Sequence, residues 1–187
     1  SGQIILIENS KLKIKNSRFV GGHPTQDMLG ELPNKSTRVI MDLGSYKLYF
    51  NDQRKFGWVK AGTKEEIMNM KFLTELGPEP FEMDEKTFVD RVGKSKKAIK
   101  LVIMDQTVLS GVGNIYANDA LWEAGIYPNQ PANTVSAKKL GELFLKILLV
   151  LSEGIKYGGA TAADAKYIDL RGLGGHYQDH FRTYDKE

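Results

Sequence analysis

Apolar and polar positions alternate in the N-terminal part of the chain and recur at three- and four-residue spacing beyond it. That change of period predicts strands first and helices after. Ser1 to Ile7 reads as a strand already under way, and Lys11 to Lys15, where lysine alternates with leucine and isoleucine, as a half-exposed one. Gly21 to Lys35 holds glycine, proline and polar residues and reads as a loop. Thr37 to Leu43 and Lys47 to Phe50 are strands joined by a turn at Gly44-Ser45, and Phe56 to Val59 is a third candidate. These are pieces of an antiparallel sheet too small to cover its own edge and second face.

The helical period begins at Thr63 and runs to Leu76, with Ile67, Met70, Leu73 and Leu76 on one side. Gly77-Pro78-Glu79-Pro80 ends it and makes a stiff connector, the clearest domain boundary in the chain. Asp84 is a good N-cap for a helix to Val92, whose apolar side is Phe88 and Val92. Ala98 to Met104 is a short apolar helix, and Ile115 to Ala124 an amphipathic one stopped by Gly125. Ser136 to Tyr157 is the longest, with Leu140, Leu143, Phe144, Ile147, Leu148 and Leu151 opposite Lys138, Lys139, Glu142 and Lys146. It reads as a core helix ended by Gly158-Gly159.

Composition narrows the class only a little. The chain has 187 residues, 41% hydrophobic and 26% charged, with a net charge of +3. That permits binding to nucleic acid without requiring it, since clustering matters more than the sum. No cysteine is present, which excludes disulfides and any cysteine-ligated zinc in this chain. His23, His176 and His180 are too scattered to argue for a metal. The apolar run Leu143 to Leu151 is broken by Lys146 and too short to span a bilayer. With no signal peptide at its start, the chain is expected to be cytoplasmic and to have no membrane partner.

Charge clusters in one place. Lys94, Lys96, Lys97 and Lys100 follow one another with no acid among them and lead into Gly111-Val112-Gly113-Asn114. Glycines before a helix let backbone approach a ligand, and the first N–H groups of a helix lack internal partners. The positive end of the dipole stands behind them, which suits an anion. Asn114 can cap the helix or donate its amide, and Lys100 lies one segment away. Such a turn holds a phosphate without reading a base. A second polar tip, Asn51-Asp52-Gln53-Arg54-Lys55-Phe56-Gly57, offers two cations for phosphates and an aromatic wedge for a gap in a base stack.

The run GVGNIYANDALWEAGIYP, with Lys100 at its distance from Asn114, resembles the helix–two-turns–helix signature of the formamidopyrimidine-DNA glycosylase and endonuclease VIII family. The Leu76–Pro80 connector matches the family's L-G-P-E-P, and Asp52–Gly57 resembles its D-P-R-R-F-G loop, with Gln53 and Lys55 as departures. The resemblance implies an α+β fold: a partial antiparallel β-sandwich over residues 1–62, an interdomain helix and linker over 63–80, and a helix–two-turns–helix domain over 81–187. It implies phosphate binding by Lys100, Gly113, Asn114 and Tyr116. Arg54 and Lys55 would face the orphaned partner base, with Phe56 wedged beside it. The loop carrying Gly172, Gly174, Gly175 and Tyr177 would close over a flipped lesion base, its tip aromatic. Asp119 matches a family glutamate that assists in the site; from the residues alone it reads equally as a first-turn acid favouring the helix dipole.

The family's chemistry is base flipping followed by attack of an N-terminal proline amine on the sugar, a Schiff-base mechanism in which a glutamate takes part. Neither residue is in this chain, which opens Ser1-Gly2-Gln3. The expectation is therefore a DNA-gripping core fragment with no catalytic residue of its own and no cofactor, the family's zinc finger being expected downstream. The partner implied is double-stranded DNA carrying an oxidised base or abasic site, bound by a monomer. The alternative is a non-catalytic module that binds duplex or damaged DNA.

Overall fold

The structure, a computed structural model, describes residues 2–8, 18–22, 30–161 and 174–184. The chain divides into two compact units: Ser1–Ala61 with Tyr157–Gln178, and Gly62–Lys156 with Asp179–Glu187. The stretch Tyr157–Gln178 therefore groups with the strands, and the connector after Gly62 groups with the helices.

The first unit is built on a four-stranded antiparallel sheet of β1 (Gly2–Glu8), β2 (Arg18–Gly22), β3 (Thr37–Asp42) and β4 (Tyr46–Asp52). Its spatial order is β2-β1-β4-β3. Ile5 stands opposite Val20 on one neighbour and Tyr49 on the other. Ile5 and Tyr49 are buried, and Ile7, Val20 and Leu32 pack against them. Alternation puts Ile4 on the opposite face, exposed. The β3–β4 turn forms at the expected place: Gly44 sits at φ +77°, and its N–H donates to Asp42 Oδ1.

Three expectations change here. Phe56–Val59 is not a strand; it is irregular and exposed, because the chain is curled back at Asp52 before it reaches an edge to pair with. The stretch read as a loop from Gly21 overlaps β2, whose few apolar residues gave too short an alternation to detect. The Thr63–Leu76 helix is two short ones, α1 (Lys64–Met68) and α2 (Lys71–Thr74), separated where Met70 turns extended at ψ 131°. Thr63 and Glu66 cap α1 reciprocally, the threonine hydroxyl accepting from Glu66 N and the glutamate from Thr63 N. The predicted strand Lys11–Lys15 lies outside the described residues.

The helical unit follows the sequence closely. It contains α3 (Glu85–Val92), α4 (Ile99–Ile103), α5 (Asn114–Ala124) and α6 (Ala137–Lys156). Asp84 caps α3 by accepting from Thr87 N at 2.7 Å. Gly125 ends α5 in the left-handed region, φ 61°. Phe88 and Val92 of α3, Ala117, Ala120 and Leu121 of α5, and Leu140, Leu143, Phe144 and Ile147 of α6 are buried together with Ile99 and Ile103. The Phe88 and Phe144 rings lie 5.1 Å apart. α6 packs against both α3 and α5. Among the described residues no helix is long and apolar enough to cross a membrane.

Candidate nucleic-acid interface

Between α4 and α5 the chain makes two consecutive turns, each held by its own set of bonds. In the first, Asp105 Oδ1 accepts from Thr107 Oγ1 at 2.7 Å and Thr107 N at 3.0 Å, which holds its carboxyl below the usual carboxylate range. Arg91 on α3 donates to the carbonyls of Val108 and Thr107, both at 3.1 Å. Gly77 N donates to Gln106 O at 2.8 Å, and Ser110 N to Pro78 O at 3.1 Å. A Cβ on Gly77 would lie 2.7 Å from the Val108 carbonyl carbon, so the connector glycine is needed for this close approach. In the second turn Gly111 sits at φ +83°, the left-handed region that favours glycine. Leu109 and Val112 are buried and anchor the turn from below.

What this leaves outward is backbone. Gly113 occupies the cap of α5 with no side-chain bond, and Asn114 is the first helical residue, so the asparagine is not the cap itself. Among the described residues no partner is found for the N–H groups of Gly113, Asn114 and Ile115, which follow the buried Val112. Gly111, Gly113 and Asn114 are exposed, and Lys100 on the neighbouring α4 is half-buried. The start of α4 is itself fixed, Ile99 N donating to Gln130 O and Lys100 N to Pro128 O.

The tip after β4 is built differently. Asp52 is buried, and its two carboxylate oxygens accept from Gly57 N at 2.6 Å and Arg54 N at 3.1 Å. The Gly57 N–H, and then those of Arg54 and Lys55, hold its carboxyl below the usual range against the opposing push of burial. The loop closes with Lys55 at φ 60°. A Cβ on Gly57 would meet the Phe50 ring at 2.7 Å, so this position must be small. Phe56 is 78% exposed, which excludes a core-facing role. The Arg54 guanidinium lies over its ring, 5.4 Å from the centroid.

Residues 76–166 match the formamidopyrimidine-DNA glycosylase H2TH domain. The chain belongs to the formamidopyrimidine-DNA glycosylase family. It is 39% identical over 151 residues to the formamidopyrimidine-DNA glycosylase of Nitratidesulfovibrio vulgaris, covering 80% of this chain and 41% of that one. The Desulfitobacterium hafniense enzyme of the same name is 37% identical over 156 residues, 82% of this chain and 56% of the relative. The chain thus spans about half the length of the curated relatives it matches. The structure of Lactococcus lactis Fpg in complex with abasic-site DNA superposes with a TM-score of 0.73 at 26% identity, over 99% of this chain and 60% of that one. The MutM (Fpg) protein of Thermus thermophilus gives 0.72 at 31% identity, over 91% and 65%.

With the glycosylase family established, the remaining candidate residues can be placed. Tyr116 turns its ring onto α6, where a Cβ on Gly154 would overlap it, and burial pushes its phenol above the usual range. Asp119 is wholly buried in the second turn of α5, not the first. Its Oδ1 accepts from Arg182 N at 3.0 Å, Thr183 N at 3.2 Å and Thr183 Oγ1 at 3.0 Å. The Arg182 guanidinium meets Glu123 at 3.2 Å and Glu153 at 2.6 Å, and Lys146 meets Glu123 at 3.2 Å. Lys146 first, then Arg182, keeps the Glu123 carboxyl below its usual range. Asp119 therefore fastens the Phe181–Tyr184 segment to α5 and is neither exposed nor at the dipole end.

In the loop expected to cover a lesion, Gly172 lies outside the described residues. Tyr177 is not an exposed aromatic tip; it is completely buried, with its N–H donating to Gly159 O at 3.0 Å. Gly175 is buried too, donating to Thr161 Oγ1 at 2.7 Å, and a Cβ there would overlap the Gly158 and Gly159 carbonyls. Gly174 is exposed. Gly175 and Tyr177 are thus held to Thr161 and Gly159. Sequence reading missed Asp52, Gln106, Arg91 and Gly77 as organisers; for Asp52 and Gln106 the signal was a carboxylate or carboxamide five residues before a glycine, while Arg91 and Gly77 gave none. The chain has no cysteine, and among the described residues no group of three or more acids and histidines could hold a metal ion.

Proposed function

We propose that this chain is the DNA-holding part of a bacterial base-excision-repair glycosylase with abasic-site lyase activity, acting on oxidised purines or formamidopyrimidines in cytoplasmic DNA. The observation that carries the reading is the turn before α5: neighbouring N–H groups without partners among the described residues, on a glycine-shaped backbone, beside Asn114 and Lys100. Such a surface takes phosphate oxygens in any sequence. The exposed Phe56 with Arg54 suits a place where stacking is already broken. The Lactococcus lactis relative bound to abasic-site DNA supports the same partner. Bond breaking is not assigned to any of the described residues.

The test is equilibrium binding of labelled duplexes, intact and carrying an abasic site, by the unaltered chain at low salt. Binding to both that weakens steeply with salt, and is tighter on the abasic duplex, supports the reading. No duplex binding at low salt would overturn it.

A further inference from the structure

Gln106 reaches into the second turn from within. Its carboxamide nitrogen donates to Met104 O at 3.0 Å and to Val112 O at 3.1 Å, and its oxygen accepts from Gly111 N at 2.9 Å. Its own carbonyl is held by Gly77 N at 2.8 Å. The side chain thus ties the end of α4 to the left-handed Gly111 and to the residue after it. It removes the Gly111 N–H from the outward set and fixes the peptide planes from which the next N–H groups project. Two carbonyls and one N–H require two donors and one acceptor, which a carboxamide supplies. A carboxylate satisfies the N–H only and sets a negative charge against two carbonyls, beside the place an anion would occupy.

We propose that Gln106 is a positioning residue for DNA phosphate binding, acting through the aim of the Gly113, Asn114 and Ile115 N–H groups and of the Asn114 side chain. The proposal rests on the functional reading above. It adds a residue that makes no contact with the ligand yet sets the affinity for it.

The test uses Gln106→Met, which keeps length and bulk without the hydrogen bonds, and Gln106→Glu, which keeps only the acceptor. Each is measured for duplex binding alone and combined with Asn114→Ala, with the Gly111 amide exchange rate and the thermal midpoint recorded on the same samples. Both variants are expected to bind intact and abasic duplex about tenfold more weakly, the change that roughly 1.4 kcal/mol produces. Gly111 exchange should accelerate while core amides and the thermal midpoint stay near those of the parent. In the Asn114→Ala background the Gln106 substitutions should cost little more, because both act on one contact. Parent-like binding by Gln106→Met, or a loss fully additive to that of Asn114→Ala, would overturn the proposal. Failure of the unaltered chain to bind duplex is a different result and would sink the functional reading itself.

Discussion

The glycine turn before α5 and the tip after β4 solve one problem with different chemistry. On the proposed reading each would present backbone or side chain to DNA from a short loop, and each is shaped by one polar side chain that gathers nearby backbone groups. In the tip that side chain is the Asp52 carboxylate; in the second turn it is the Gln106 carboxamide. The turn also rests on buried Leu109 and Val112 and on Arg91 from a neighbouring helix. In the tip, by contrast, Gln53 to Lys60 are all exposed. A phosphate grip needs fixed N–H directions and is built on a core. A wedge needs an exposed ring and is built at the end of a hairpin. The difference teaches that an exposed backbone turn and an exposed aromatic ring are held by different supports, one resting on buried side chains and the other on a buried carboxylate.

The comparison breaks most visibly at the buried support of the helical unit. Asp119→Ala leaves the Arg182 and Thr183 N–H groups and the threonine hydroxyl without their acceptor. A fully buried unsatisfied group costs about 1–3 kcal/mol, but Arg182 and Thr183 are half-buried and their donors regain water in part, so a total loss of about 2–3 kcal/mol is expected. Chemical denaturation should show it, while the Gly57 amide of the tip keeps its protection.

Next comes the grip. Asn114→Ala or Lys100→Ala should weaken binding to every duplex by about 1.5–3 kcal/mol, the scale of hydrogen bonds to charged groups. Fluorescence anisotropy over a salt series would also show a shallower slope for Lys100→Ala, by about 0.9 for one phosphate contact. Phe56→Ala follows with a smaller loss, about 1–2 kcal/mol on an abasic duplex and little on an intact one, since stacking contacts are of that order. A proportionate loss on both would make Phe56 a general contact and erase the division.

The smallest effect is with acid. The Asp52 carboxyl is depressed in the folded chain. Its contribution is complete above the free-aspartate value of about 3.9 and fades as pH falls through the lower folded value. Protection of the Gly57 amide should therefore hold from neutral pH to about pH 5 and decline below about pH 4. The first turn, held by the similarly depressed Asp105, shares this sensitivity. Gly111, held by a carboxamide that does not titrate, should lag behind both.

How much of this was legible in the sequence follows from the range of each interaction. β1, β3, β4 and the helices from α3 onward stood out because each carries a complete period of apolar residues. Ile67, Met70, Leu73 and Leu76 carry a period too, but a spacing of three passes through the break at Met70 without registering it. Phe56 to Val59 looked like a strand because its apolar residues were weighed without the carboxylate that precedes Gly57, and Asp52 reaches forward to that glycine. The candidate residues Asn114, Arg54 and Phe56 were proposed from motif and chemistry, and each is exposed. Asp119 was not, since its partners lie more than sixty residues away, at a separation of 63 for Arg182. Tyr177 was misplaced for the same reason: its burial depends on residues near Gly159.

The most direct test of the division between grip and wedge is one ratio, the affinity for an abasic duplex over that for the intact duplex of the same sequence. It should be measured for the unaltered chain, Asn114→Ala and Phe56→Ala under one salt condition. The account predicts that Asn114→Ala lowers both affinities and leaves the ratio unchanged, while Phe56→Ala brings the ratio toward one. A ratio that collapses in Asn114→Ala and survives in Phe56→Ala would contradict it.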